Sequence, residues 1–184
     1  MAVPPRIAAE LAFEPMLANG IVSAMASVPT WMAGQAKAVA IYTKPFWRDE
    51  GLSGDAMSRL GPMVEIHDAS PEDAEYGALF GFIGVPPAAR RDEAVLLAAV
   101  QDQFSRLFGG EPPQSLQVKD WAQDPFTATP ADAIPLTAHP SYGHGVQNLW
   151  DGRIILSGTE TAPEFGGFLE GALEAAEASF RQLI

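Results

Sequence analysis

A helical repeat of apolar side chains marks residues 89–108. The apolar positions are Leu96, Leu97, Val100, Phe104, Leu107 and Phe108. Asp92 and Glu93 favour the first turn of a helix, where carboxylates meet the positive end of the helix dipole, and Gly109-Gly110 predicts its end. This is the clearest helix in the chain.

A second helix is predicted from about Gly167 to Leu183. Its expected buried stripe consists of Phe168, Ala172, Ala176, Phe180 and Leu183. Near the N-terminus, residues 6–28 indicate a short helical stretch that is broken by Pro15 and Gly20.

Residues Ala36 to Tyr42 predict a strand with two apolar faces. Lys37, Val39 and Ile41 share one face, and alanines and a tyrosine share the other, which is typical of an internal strand. The following pattern predicts an antiparallel pair of strands, Met63–His67 and Ala78–Ile83. Two further strands are expected at Ser115–Trp121 and Arg153–Ser157.

Composition narrows the function classes. The 184 residues include 23 acidic and 11 basic side chains, so the net charge is −12, which argues against nucleic acid or an anionic membrane as a partner. The chain has no cysteine, which excludes disulfides, thiolate metal sites and a thioether-linked cofactor. Its apolar stretches are shorter than the roughly 20 residues that span a bilayer. We expect one or two small domains, no membrane association and a cytoplasmic location.

Simple catalytic motifs are weak or absent. His139 and His144 lie five residues apart in a loop and His67 is remote, so two solvated loop histidines are favoured over a metal site, and we expect no metal. The chain contains neither a Gly-x-Ser-x-Gly elbow nor a complete Gly-x-Gly-x-x-Gly dinucleotide turn.

Three features leave two interpretations open. The strand at 153–157, the Gly158-Thr159 turn and the helix that begins near Gly166-Gly167 could face an anion, or could be an ordinary connection. Lys37 could be a desolvated amine, or a lysine whose stem is covered while its ammonium reaches water. The aromatic residues could line a pocket or belong to a core, and they are Trp121, Phe126, Phe165 and Phe168.

The order of the motifs resembles the C-terminal part of the flavin-containing amine oxidases, the monoamine oxidase family. The first two stretches that carry the resemblance are Ala2-Val3-Pro4-Pro5-Arg6 with Phe13-Glu14-Pro15, and Gly34-Gln35-Ala36-Lys37 leading into Lys44-Pro45-Phe46-Trp47. The other two are Lys119-Asp120-Trp121, and Arg153 to Thr161 continuing into Gly167-Phe168-Leu169-Glu170-Gly171-Ala172.

The resemblance implies a role for each matching residue. Lys37 matches the lysine that holds a water against the flavin N5, and Trp121 matches the tryptophan beside the isoalloxazine ring. The turn along the cofactor phosphates and ribityl chain is matched by Gly158, Thr159 and Glu160. The start of the last helix, which faces the flavin pyrimidine end, is matched by Gly167, Phe168 and Leu169. Phe168 replaces a tyrosine of the amine cage, and with Phe165 it would contact substrate.

The resemblance also implies an α+β fold. A mixed β-sheet with flanking helices would form the substrate-binding portion at residues 27–123. Residues 124–184 would form the C-terminal strand–helix piece of a Rossmann-like FAD domain, and residues 1–26 would be a remnant of the connection to it.

The implied function is oxidative deamination. Hydride would pass from the carbon beside a small amine to the N5 of non-covalent FAD, and O2 would be the reoxidant. In this family the Gly-x-Gly-x-x-Gly turn belongs to the N-terminal half. Without that half much apolar surface would be uncovered, so we expect either an N-terminal half or a homo-oligomer to cover it. The alternative is a flavin-free, non-catalytic interaction module, or a truncated relic of the fold.

Overall fold

The computed structural model describes residues 1–134, 136, 138–143 and 148–184, which divide into two compact units. One unit comprises residues 1–34 and 121–184, and the other comprises residues 35–120. The helices are α1 (Pro5–Ala9), α2 (Asn19–Ser27), α3 (Phe46–Asp49), α4 (Glu93–Phe108) and α5 (Leu169–Arg181). The strands are β1 (Ala36–Tyr42), β2 (Ala56–Met57), β3 (Met63–Asp68), β4 (Gly77–Ile83), β5 (Ser115–Asp120), β6 (Asn148–Leu149) and β7 (Ile154–Ile155).

A five-stranded sheet in the order β2-β3-β4-β1-β5 organises the unit at residues 35–120. The internal position predicted for β1 is confirmed, because it pairs with β4 on one side and β5 on the other. The predicted antiparallel pairing of β3 with β4 is also confirmed. Every pairing between the described strands is antiparallel, so the expectation of a mixed sheet was wrong.

One face of this sheet carries the core of the unit. Its alternate β1 side chains Ala36, Ala38, Ala40 and Tyr42 are buried, together with Leu96, Val100, Phe104 and Phe108 of α4. Four of the six predicted apolar positions of this helix are therefore buried, and Leu107 packs against the core while partly exposed. Asp92 caps the helix, since its carboxylate accepts a hydrogen bond from the Val95 amide, and this explains why α4 begins at Glu93 rather than at residue 89.

A buried glutamine completes the hydrogen bonding of β3. Gln103, which is fully buried on α4, accepts a hydrogen bond from the Met63 amide at 2.8 Å and donates one to the Met63 carbonyl at 2.7 Å. The pairing of β3 with β4 shifts register between Met63 and Glu65. The glutamine therefore pairs backbone groups at the irregular end of the strand.

The second core belongs to the unit formed by residues 1–34 and 121–184. It is built from Ala8, Leu17, Met25, Leu149 and Leu156. The Met1 ammonium donates a hydrogen bond to the Ile155 carbonyl at 2.6 Å, beside the β6–β7 pair. The N-terminal segment and the last strand thus pack in one unit although they are far apart in sequence.

The predicted buried stripe of α5 was wrong. The residues that α5 buries are Gly171 and Ala175, whereas Phe180 is 62% exposed and Leu183, just beyond the helix, is 74% exposed. Periodicity identifies an apolar face, but burial also needs a surface to cover it. None of the helices in the described ranges is long and apolar enough to cross a membrane.

Candidate functional site

Lys37 lies on the face of the five-stranded sheet opposite to α4, where β1 alternation places it with Val39 and Ile41. The residue is half-buried. Its Nζ lies 5.6 Å from the ring centroid of Phe80 and 5.1 Å from that of Phe82, so two aromatic faces hold the ammonium. Lys37 is therefore a partly covered side chain whose ammonium lies beside two aromatic rings.

The same sheet face carries an imidazole between two carboxylates. His67 Nδ1 lies 3.0 Å from Asp55 Oδ1, and its Nε2 lies 2.8 Å from Glu65 Oε1. These hydrogen bonds, first that to Glu65 and then that to Asp55, raise the pKa of His67 above its usual value. Glu65 stands opposite Phe82 in the strand pairing, and Phe82 stands opposite Lys37. Sequence reasoning missed this polar group, because its members are brought together by strand register.

Trp121 begins a 3-10 turn, Trp121–Gln123, and is half-buried. The predicted strand at Ser115–Trp121 ends one residue earlier, at Asp120. Trp121 belongs to the unit of residues 1–34 and 121–184.

Thr159 joins the predicted cofactor turn to the start of the last helix. Its Oγ1 accepts a hydrogen bond from the Gly167 amide at 2.8 Å and donates one to the Phe168 carbonyl at 2.9 Å. The turn is a 3-10 segment, Thr159–Thr161, and α5 begins at Leu169. The structure therefore brings together the two groups of residues that the family resemblance assigned to the cofactor.

Glu160 is a buried carboxyl group. It is 6% exposed, and burial raises its pKa, although a hydrogen bond from its own amide opposes this effect. Within the described ranges, its carboxylate has no cation or other side chain as a partner. A Cβ on Gly158 would lie 2.8 Å from Glu160 Oε2, so glycine leaves room for this carboxylate.

An aromatic stack borders the start of α5. The His139 and Phe168 rings are parallel, with 4.8 Å between their centroids. The Trp31 ring is tilted relative to the His139 ring, also with 4.8 Å between centroids. Tyr142 meets His139 edge-on at 5.6 Å. The interpretation of His139 as a solvated loop residue was incomplete, because the exposed imidazole is also stacked on aromatic rings. His144 lies outside the described residues.

Three of the four aromatic side chains for which pocket and core were both left open are exposed, and the fourth, Trp121, is half-buried. Phe168 is 55% exposed, Phe165 is 43% exposed and Phe126 is 81% exposed. Leu169, the first residue of α5, is 90% exposed. Neither the core nor an enclosed pocket holds these three rings. The described residues contain no group of three or more side chains that could bind a metal ion.

The residues of this turn and helix start fit a flavin nucleotide. The N-cap of α5, Phe168, provides no side-chain hydrogen bond to the first helical amides, so these amides are open to a polar ring edge. The Glu160 carboxylate has capacity to accept hydrogen bonds from ribityl hydroxyl groups. A buried carboxylate without a side-chain partner and a helix start without a side-chain cap thus occur beside each other.

Comparison with known proteins assigns the family. The whole chain, residues 1–184, matches the profile of flavin containing amine oxidoreductases, and the protein belongs to this family. It is 28% identical to amine oxidase [flavin-containing] B of Cavia porcellus over 195 residues, a match that covers 100% of this chain and 36% of that protein.

Solved structures support the fold. A variant of putrescine oxidase matches with a TM-score of 0.75 and 21% identity, over 100% of this chain and 42% of that one. Cyclohexylamine oxidase from Brevibacterium oxydans matches with a TM-score of 0.67 and 21% identity, over 99% of this chain and 41% of that one. The chain therefore spans well under half of the length of these relatives.

Proposed function

We propose that this chain supplies the C-terminal portion of an FAD-dependent amine oxidase. The observation that carries the proposal is the pair of hydrogen bonds at Thr159 Oγ1, one accepted from the Gly167 amide and one donated to the Phe168 carbonyl, which joins the Gly158–Glu160 turn to the Gly167–Leu169 helix start. Both segments match the family's cofactor-binding motifs. Bound FAD would accept hydride from the carbon beside the amine, giving an imine that water hydrolyses, and O2 would be the reoxidant.

In this proposal, the turn and helix start bind and orient the cofactor. Glu160 accepts hydrogen bonds from ribityl hydroxyls, which gives its buried carboxylate the partners that it otherwise lacks. The α5 amides face the pyrimidine edge, where the positive end of the helix dipole stabilises negative charge by about 0.3–1 kcal/mol, or more when buried. Phe168 and Phe165 offer apolar surface to the amine, which favours an apolar or aromatic substrate.

Lys37 has the proposed task of holding a water. Its ammonium remains available as a hydrogen-bond donor while Phe80 and Phe82 restrict its position. A lysine held between rings loses less side-chain freedom when it binds a water than a free surface lysine would. We assign to Trp121 the packing surface beside the ring system.

A second polypeptide segment is proposed to complete the enzyme. The chain lacks the Gly-x-Gly-x-x-Gly turn that grips dinucleotide phosphates. It also exposes large apolar side chains along and after α5, including Leu169, Leu173, Phe180 and Leu183. An N-terminal amine oxidase half would supply the dinucleotide-binding turn and cover the exposed apolar side chains.

Reconstitution tests the proposal. The chain is mixed with FAD and a separate polypeptide carrying an amine oxidase N-terminal half, and flavin absorbance is followed during anaerobic addition of benzylamine. We expect retained flavin, bleaching by the amine and recovery of colour with O2. Thr159→Val should reduce flavin retention, and Thr159→Ser should preserve it, because serine keeps the hydroxyl.

A different result would support the alternative. If the reconstituted mixture retains no flavin and oxidises no amine while the chain forms a stable flavin-free dimer, the chain is an interaction module. Equal flavin retention by Thr159→Val and the wild type would contradict the assigned role of the turn.

A further inference from the structure

A cavity of about 770 Å³ lies within the unit at residues 35–120, at the end of β1 remote from Lys37. This size is in the range of small-molecule sites. It is formed by the end of β1, α3, the end of α4 and the loop before β5. The lining includes Tyr42, Lys44, Phe46, Glu50, Phe108 and Glu111.

The inner wall of the cavity is aromatic. Tyr42 and Phe46 meet edge-on with 5.3 Å between ring centroids, and Phe108 is 9% exposed. Gly110 lies so close to Phe46 that a Cβ would be 2.4 Å from the ring, and its φ is +78°. The backbone of the loop is therefore pressed against the ring, which gives the wall a defined shape.

The wall of the cavity also carries the hydroxyl group of Tyr42. Tyr42 lines the cavity, and the residue as a whole is 4% exposed. Burial raises the pKa of Tyr42 to about 12, so the group stays neutral and can both donate and accept. A neutral hydroxyl on the cavity wall can therefore form a hydrogen bond with a bound molecule.

The charge around the cavity favours a cation. Glu50 and Glu111 are exposed carboxylates on its lining. The one lysine among the described lining residues, Lys44, is held by Asp49, with 2.6 Å between Nζ and Oδ2. The C-terminal end of α4, at Phe108 and Gly109, adds the negative end of a helix dipole.

We propose that this cavity binds a small organic ammonium ion with an apolar body. Aromatic faces attract the cation and accept the apolar part, the two carboxylates supply opposite charge, and the Tyr42 hydroxyl supplies a polar contact. The site is separate from Lys37, since five strand residues place the two Cα atoms roughly 17 Å apart. Binding at this site needs no flavin, so the proposal can be tested independently of the proposed oxidase function.

The test measures binding of benzyltrimethylammonium to the full 184-residue chain without FAD. This quaternary ion has no nitrogen lone pair and cannot be oxidised to an imine, so the readout is binding alone. Calorimetry gives the Kd, and nuclear magnetic resonance locates the shifted residues. We expect the cation to bind more tightly than neutral benzyl alcohol, and anionic benzoate to bind most weakly, with shifts at Tyr42 and Phe46.

Variants identify the groups responsible. The double variant Glu50→Gln, Glu111→Gln should weaken binding of the cation about tenfold, because it removes both carboxylates. Tyr42→Phe, which keeps the ring packing, should weaken it about threefold. The control Glu72→Gln, Glu75→Gln changes the same charge at exposed positions outside the cavity and should leave the Kd unchanged.

Three results would overturn the proposal. One is absence of measurable binding of the cation to a chain that circular dichroism shows to be folded. The second is equal affinity for the cation and benzyl alcohol. The third is an equal loss of affinity in the cavity double variant and in the control double variant, which would indicate only the general attraction of an acidic protein for cations.

Discussion

The guanidinium of Arg90 donates two hydrogen bonds to the carboxylate of Asp120, from Nε to Oδ2 at 2.9 Å and from Nη2 to Oδ1 at 2.8 Å. The exposed fractions of the two side chains are 2% and 9%. Arg90 also donates to the Val85 carbonyl at 2.8 Å. A buried, bidentate ion pair thus ties the segment after β4 to the last residue of β5.

Replacing Arg90 should destabilise the protein strongly. Arg90→Met would leave the Asp120 carboxylate buried without its guanidinium, and removal of one partner of a buried pair costs about 3–5 kcal/mol. Urea unfolding followed by circular dichroism measures this loss. Arg181→Met is the control, because its pair with Glu177 is exposed and should change stability by less than about 0.5 kcal/mol. Equal effects of the two variants would contradict the argument.

Gln103 provides a second test of the fold. In Gln103→Met, the amide and carbonyl of Met63 lose their side-chain partners while buried volume is nearly kept, so we expect a loss of about 2–4 kcal/mol. Gln101→Met, on the exposed side of the same helix, should be close to neutral. The urea midpoints of the two variants measure these changes in stability. An unchanged midpoint for Gln103→Met would show that the Met63 backbone groups find other partners.

Acid should remove the contribution of Asp68. Burial raises the pKa of this carboxyl, but hydrogen bonds from Arg48, Ser70 and Trp47 outweigh burial and lower it from 3.8 to about 2. Because the folded pKa is below the unfolded one, the stabilisation is present above pH 4 and is lost as the pH falls toward 2. Asp68→Asn should cost about 2 kcal/mol at neutral pH and much less at pH 2. Urea unfolding at both pH values measures the difference in unfolding free energy between the variant and the wild type. An equal difference at the two pH values would contradict the dependence on the Asp68 pKa.

Glu160→Gln should stabilise the flavin-free chain at neutral pH. Burial raises the pKa of Glu160, so the folded state holds its proton more tightly than the unfolded state. The wild-type protein therefore loses stability as the pH rises from 4.5, the ordinary pKa of glutamate, through the raised pKa of the folded state. Glutamine does not titrate, so the variant has no such loss. The urea midpoint of Glu160→Gln should exceed that of the wild type at pH 7 and approach it at low pH. Glu164→Gln, at an exposed position nearby, should show no such difference.

The proposed oxidase role of Lys37 predicts a kinetic effect. In the reconstituted enzyme, Lys37→Met should slow flavin turnover by about 10²-fold, the lower end of the range for removal of one positioned hydrogen-bond donor. Stopped-flow absorbance separates reduction by the amine from reoxidation by O2. Lys119→Met, across the strand pair from Lys37, is the matched control. Wild-type rates in Lys37→Met would show that the assigned water-holding role is wrong.

Local patterns determined the elements with the strongest signals. The bounds of β1 agree with the predicted strand, because a run of seven largely apolar residues bounded by turn residues is typical of an internal strand. The end of α4 at Phe108 also agrees, because glycines follow it. The order of motifs, from Lys37 to the Gly167–Leu169 segment, was sufficient to identify the family.

Tertiary structure decided what those elements contact. Neither the pairing of Arg90 with Asp120 nor the link from Gln103 to Met63 has a sequence signature, because each joins residues 30 or more positions apart. The exposed face of α5 and the stacking of His139 on Phe168 also depend on tertiary contacts that local patterns do not report. Periodicity reports which side chains share a face, whereas burial and hydrogen bonding depend on the surface that the rest of the chain brings against that face.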